Sequence, residues 1–112
     1  MNVTSTVNEK AQILSVDVAR IDAAVAIEFK DKMREETASG EPRVILDLSN
    51  VDFIDSSGLG AVVAAMKQMG QGRKLDLAGL TSNVEAVFRL TRMDTVFRLY
   101  ATVEDALAAE AA

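Results

Sequence analysis

The run Val44-Ile45-Leu46-Asp47-Leu48 carries an acid in an otherwise apolar stretch. A strand that is apolar at consecutive rather than alternate positions is buried on both faces, as the central strands of parallel sheets are. Soon after it, Asp55-Ser56-Ser57-Gly58-Leu59-Gly60 leads into Leu59, Val62, Val63 and Met66, the apolar stripe of a helix. Strand, turn and helix in that order constrain the chain to an α/β unit with a parallel neighbour. The same order sets two hydroxyls and a carboxylate where a helix begins. There the first N–H groups lack intrahelical partners and the macrodipole is positive. A serine at such a point can cap the helix, coordinate a ligand or carry a phosphate.

The remaining segments extend this unit. Val3, Ser5 and Val7 alternate, as do Leu14, Val16 and Val18, which predicts two half-exposed strands joined by a turn near Asn8-Glu9-Lys10. From Ile21 the period changes to four. Ile21, Val25, Phe29 and Met33 predict a helix over Asp22–Thr37, with Glu28, Lys30 and Asp31 outward and Ser39-Gly40-Glu41-Pro42 as its stop. Gly70-Gln71-Gly72 closes the second helix, and Leu75 and Leu77 alternate in a strand ending at Gly79. Val84, Val87, Phe88 and Thr91 mark a third helix. A short strand is expected over Thr95–Leu99, then a last helix opened by Thr102 with Asp105 as a variant capping box. The Ala-rich end, Ala106 to Ala112, is expected to fray. With 112 residues and no linker or repeat, one domain is expected.

Composition removes whole classes of chemistry. The chain has no Cys and no His, so disulfides, thiol nucleophiles, common zinc sites and imidazole-based triads are out. A net charge of −5 opposes a phosphate-neutralising nucleic-acid surface. Its short basic clusters, Arg73-Lys74, Arg89 with Arg92, and Lys30 with Lys32 and Arg34, are interrupted or balanced by acids. No apolar run approaches the ~20 residues that span a bilayer. Met1 to Val7 has neither a basic n-region nor a hydrophobic h-region, so no signal peptide is expected. A cytoplasmic protein is the expectation.

The serine loop admits several readings. A nucleophile elbow would need Gly-x-Ser-x-Gly and a base. Here the order is Asp-Ser-Ser-Gly, and a Ser–Lys dyad would require Lys67 or Lys74 to reach back. Gly58-Leu59-Gly60 lacks the third glycine of a dinucleotide fingerprint, whose place is taken by Val63, and no Gly-Lys-Ser/Thr is found after it. Asp47, Asp52 and Asp55 offer oxygen ligands, but Asp47 lies in the strand. The Phe53-Ile54 pair between the other two is expected to point inward, so no metal and no cofactor are expected. Capping accounts for one small polar residue at Asp55 or Ser56. It does not account for Asp-Ser-Ser beside Gly58 and Gly60, small neighbours that keep the hydroxyls accessible. Asp22, at the entry of the first helix, is expected near the same loop, because helix starts gather at one end of a parallel sheet.

The run Val44–Leu48 followed by Val51-Asp52-Phe53-Ile54-Asp55-Ser56-Ser57-Gly58-Leu59-Gly60 resembles the signature of STAS domains. Within that group it is most similar to bacterial anti-sigma-factor antagonists, and the element order matches over nearly the whole chain. The resemblance implies a four- to five-stranded mixed sheet with about four helices packed mainly on one side. It implies a non-enzymatic partner switch, without a cofactor and without membrane insertion. A GHKL-fold serine kinase that is also the anti-sigma factor would bind the unphosphorylated protein; phosphorylation on Ser56 would release it; a PP2C-type phosphatase would reset the cycle. Partner contacts would fall on Asp22, Asp55, Ser56, Ser57, Gly58 and Leu59, and the protein would be a monomer or weak dimer. Ala19-Arg20-Ile21-Asp22 departs from the Gly-Glu-Leu-Asp common in the family and bears on partner choice. Relatives that serve as small subunits of lipid-transport ABC systems keep a similar loop, so constitutive binding to a transporter is the alternative.

Overall fold

The computed structural model describes residues 1–109. Strands β1 (Asn2–Val7) and β2 (Gln12–Asp17) form an antiparallel hairpin in the register Asn2↔Asp17. Its turn is held by Asn8, whose Oδ1 accepts from the N–H groups of Lys10 at 2.8 Å and Ala11 at 3.0 Å, an Asx arrangement of the kind this residue favours in turns. A two-residue β3 (Arg20–Ile21) precedes α1 (Ala26–Glu36). Then come β4 (Arg43–Asp47), a two-residue β5 (Phe53–Ile54), α2 (Ser56–Met69), β6 (Lys74–Ala78), α3 (Ser82–Leu90), β7 (Leu99–Tyr100) and α4 (Val103–Ala108). The main sheet has the order β1-β2-β4-β6-β7 and is parallel from β2 onward. It is the mixed sheet expected.

The consecutive apolar residues of β4 serve two layers. Val44 and Leu46 join Leu14, Val16, Leu75 and Leu77 against α1, α2 and α3, whose Phe29, Met33, Val62 and Phe88 are fully buried. Each such side chain contributes about 1.5–3 kcal/mol. Ile45 faces the other way, with Ala11 and Ala78, under Ala106 of α4. Three helices thus cover one face and the short α4 the other. On the α4 side Arg43 donates through Nε to Asp76 Oδ2 at 3.0 Å and through Nη2 to the Ala106 carbonyl at 2.8 Å. A buried charge is tolerated when it is paired and hydrogen-bonded in this way.

Three segments differ from expectation. Ile21 is not in the first turn of α1 but in β3, and the helix starts at Ala26 after a tight turn in which Val25 N–H donates to the Asp22 carbonyl at 3.1 Å. The strand expected over Thr95–Leu99 is confined to Leu99–Tyr100. Before it, Met93–Thr95 forms a 3₁₀ turn, and Phe97 turns into the core to meet Phe88 edge-on at 5.9 Å. Aromatic packing outweighs strand pairing there. Fraying does not begin at Ala106, which is buried in α4 with its carbonyl bound by Arg43. Residues 110–112, the remainder of that end, lie outside the described residues.

Candidate functional site

The two-residue strands build the site. Strands β3 and β5 pair in parallel, Arg20↔Phe53 and Ile21↔Ile54, apart from the main sheet. Their pairing brings the entry of α1 beside the entry of α2. The Ala19 carbonyl accepts from Asp52 N–H at 2.8 Å and Phe53 N–H at 3.2 Å, which fixes the approach.

Asp55 is the N-cap of α2, with extended backbone, and its Oδ1 accepts from Gly58 N–H at 2.8 Å. Its other oxygen accepts from Ala23 N–H at 3.3 Å, so one carboxylate ties both helix entries together. The cap position is therefore filled by Asp55. Ser56 and Ser57 come next in the first turn, both exposed, and neither hydroxyl bonds to another described residue. Asp22 stands across the gap. Its Oδ1 accepts from Ala24 N–H at 3.1 Å and its Oδ2 lies 3.4 Å from Arg20 Nε.

The two glycines have different reasons. Gly58 is buried, and a Cβ there would overlap the Ile21 carbonyl and stand 2.9 Å from Ile54 Cγ1. Glycine at 58 lets α2 seat on β3. A Cβ at Gly60 would meet nothing within 4 Å. Position 60 is three and four residues past Ser57 and Ser56, on the same helix face, so its glycine leaves the ground beside the hydroxyls bare. Leu59 is half-buried against the core.

The bond from Ala23 N–H to Asp55 puts Asp22, the residue before Ala23, at the same end of the sheet as Asp55, Ser56 and Ser57. Sequence reasoning misses the stacking of Arg20 on Phe53. Phe53 does not point inward: it is 38% exposed, and the Arg20 guanidinium lies 4.0 Å from its ring centroid, a cation–π stack. Only Ile54 of that pair is buried. Asp47, meanwhile, accepts from Ser49 N–H at 3.0 Å as a turn residue, and no three acids gather as a metal site among the described residues. Among those residues no helix is long and apolar enough to cross a membrane.

A five-stranded mixed sheet of this order, with helices on both faces, defines a small α/β domain. The STAS domain family profile matches residues 2–106, and the chain belongs to that family. The anti-sigma-F factor antagonist RsfB of Mycobacterium tuberculosis is 29% identical over 107 residues, 96% of this chain and 87% of RsfB. The anti-sigma-B factor antagonist of Staphylococcus aureus is 25% identical over 92 residues, 81% of this chain and 84% of the relative. In three dimensions the chain is similar to an anti-sigma factor antagonist from Mycobacterium paratuberculosis, with a TM-score of 0.84 and 25% identity over 95% of this chain and 90% of that one. All three relatives are named as anti-sigma factor antagonists.

Proposed function

We propose that this protein is an anti-sigma-factor antagonist acting by partner switching, with Ser56 as the phosphorylated residue. In its unphosphorylated form it sequesters a GHKL-type anti-sigma serine kinase through Asp22, Asp55, Ser56, Ser57 and the bare ground beside Gly60, with Gly58 and Leu59 holding that surface in place. A PP2C-type phosphatase restores the binding form. The observation that carries this reading is the capping arrangement. Asp55 binds Gly58 N–H and so releases the Ser56 hydroxyl to solvent at a helix start. The names borne by its relatives support the same reading.

Phosphorylation adds about −1.5 to −2 charges at pH 7. At a helix N-terminus that charge is tolerated, with a stabilising effect of about 0.3–1 kcal/mol. The fold therefore stays as it is, and the change falls on the interface. A partner surface fitted to a neutral hydroxyl must desolvate a dianion beside Asp22 and Asp55. A penalty of ~4 kcal/mol weakens binding about a thousandfold.

The test is a pull-down from native lysate with wild type, Ser56→Ala and Ser56→Asp as baits and mass-spectrometric identification. A GHKL kinase held by wild type and Ser56→Ala but lost with Ser56→Asp is the expected outcome. A transporter ATPase recovered equally by all three would overturn it.

A further inference from the structure

Strand β1 forms one edge of the main sheet and, among the described residues, pairs with β2 alone. Alternate rungs of this edge face outward. Asn8 N–H donates to the Ala11 carbonyl at 3.0 Å, and these two residues continue the register in which Asn2 faces Asp17 and Val7 faces Gln12. Backbone groups alternate along an antiparallel strand, so Asn2, Thr4 and Thr6 bond toward β2 as Asn8 does. Those of Val3, Ser5 and Val7 point away from the sheet. Every residue of β1 except the half-buried Val3 is exposed. Three rungs therefore stand open to a further strand.

Natural sheets guard such an edge with lysines, prolines or bulges. Strand β1 carries no charge and no proline, and its register against β2 runs without a bulge. The edge sequence is also a palindrome: Asn2-Val3-Thr4-Ser5-Thr6-Val7-Asn8 reads the same in both directions about Ser5. A surface that meets its own copy about a twofold axis sets residue i against j and j against i. With the axis at Ser5, Val3 falls opposite Val7, Thr4 opposite Thr6 and Asn2 opposite Asn8, like against like. The centre is itself an outward rung, so Val3, Ser5 and Val7 each meet a rung that points back at them. Thr–Thr pairs across strands are favourable, valine suits a pleated surface, and no like charges stand opposite. Val7, 52% exposed, is covered by Val3 of the second copy.

We propose that β1 pairs with β1 of a second copy of this chain, antiparallel and centred on Ser5, so that two five-stranded sheets join edge to edge. Main-chain bonds supply the affinity, as in strand addition generally, and the palindrome sets the register. One strand pair is small beside the ~1,200–2,000 Å² that stable interfaces bury, so the dimer dissociates on dilution. The site and the new interface do not compete. Asn2 pairs with Asp17, which leads through Ala19 into β3 and the serine loop, so that loop lies at the Asn2 end of β1. Antiparallel pairing turns one copy end for end. The two serine loops therefore lie at opposite margins of the joined sheet, and both stay open.

The test is sedimentation of the full chain over a concentration series, with amide exchange by NMR as the local readout. A monomer–dimer equilibrium is expected below about 1 mM. The Val3, Ser5 and Val7 amides should gain protection as concentration rises, while those of Thr4 and Thr6, already bonded toward β2, change little. Thr4→Glu/Thr6→Glu sets like charges face to face across the twofold axis and should weaken the dimer about tenfold or more. Thr4→Lys/Thr6→Glu sets opposite charges face to face in the same register and should restore it. Both positions are exposed, and unfolding midpoints check that neither double variant disturbs the fold. Ser56→Asp should leave the dimer unchanged, which keeps this proposal separate from the proposed switch. A chain still monomeric at about 1 mM, its edge free or kept for another protein's strand, would overturn the proposal. So would a dimer that Thr4→Glu/Thr6→Glu does not weaken, or one that Thr4→Lys/Thr6→Glu fails to restore.

Discussion

The starts of α2 and α4 use the same device for different ends. At α2, Asp55 accepts from the N–H of Gly58; at α4, Thr102 accepts from the N–H of Asp105 at 3.0 Å. Each cap satisfies one orphan donor three residues on. The first turns beyond the two caps differ. Helix α4 places Glu104 and Asp105 in its first turn, and α1 and α3 place Glu28 and Glu85 there. Helix α2 has no acid in its first turn, only Ser56, Ser57 and Gly58. An acid at that point stabilises a helix by roughly 0.3–1 kcal/mol. α2 forgoes that term in its first turn, and under the proposed function its positive end is left to receive the phosphate on Ser56. On that reading, stability governs the sequence of one helix start and access governs the other.

The largest effect that sharpens this contrast comes from the two glycines of α2. Gly58→Ala forces a methyl into the Ile21 carbonyl, and thermal or urea unfolding should show a loss of about 3 kcal/mol. Gly60→Ala meets open space, and should gain up to about 1 kcal/mol from helix propensity. Under the proposed function it should also weaken kinase binding, because its methyl stands beside the serines. Equal stability in the two variants would mean that α2 does not depend on its close seat against β3.

Next in size are the caps themselves. Thr102→Ala should cost about 1 kcal/mol, the usual worth of a cap. Asp55→Ala should cost more, about 2 kcal/mol, because Asp55 also holds Ala23 N–H and with it the entry of α1. Denaturant midpoints at constant slope decide this. If the two losses are equal, the bridge between the helix entries adds nothing to the cap.

The features legible in the sequence are those that repeat. Strand β4, the hairpin and the stripes of α1 to α3 each offer several turns or alternations, and apolar spacing reveals them. The serine loop is legible for another reason: its residue types suit a helix start and its neighbours are small. The β3–β5 pair is not legible, since two residues carry no period. Its absence from a sequence reading has consequences, because Phe53 then reads as core and its stack with Arg20 goes unseen. Segment 95–98 fails differently. Val96-Phe97 has strand propensity, but the demand of Phe88 for an edge-on partner draws Phe97 inward and leaves only Leu99–Tyr100 to pair. The split between cap and exposed hydroxyl is equally hidden. Asp55 and Ser56 are both good caps, and only the bond from Gly58 N–H to Asp55 decides between them.

The smallest expected effect tests the contrast most directly. If α2 has an unneutralised positive end, then adding an acid there should stabilise the protein, and removing one from α4 should do the reverse. Ser56→Asp should raise unfolding free energy by about 0.3–1 kcal/mol, and Glu104→Ser should lower it by a similar amount. Both shifts should shrink as salt is raised from low ionic strength to about 1 M, where screening falls to ~3 Å. The cap at Asp55 opposes the first shift, since its carboxylate lies one residue away and repels a second one. That repulsion is limited, because both Asp55 oxygens already accept backbone N–H groups. A net gain in Ser56→Asp, together with loss of kinase binding, would separate what the charge does to the fold from what it does to the interface. A net loss of stability would mean that the carboxylate of Asp55 already saturates this helix end, and that phosphorylation acts partly by loosening it.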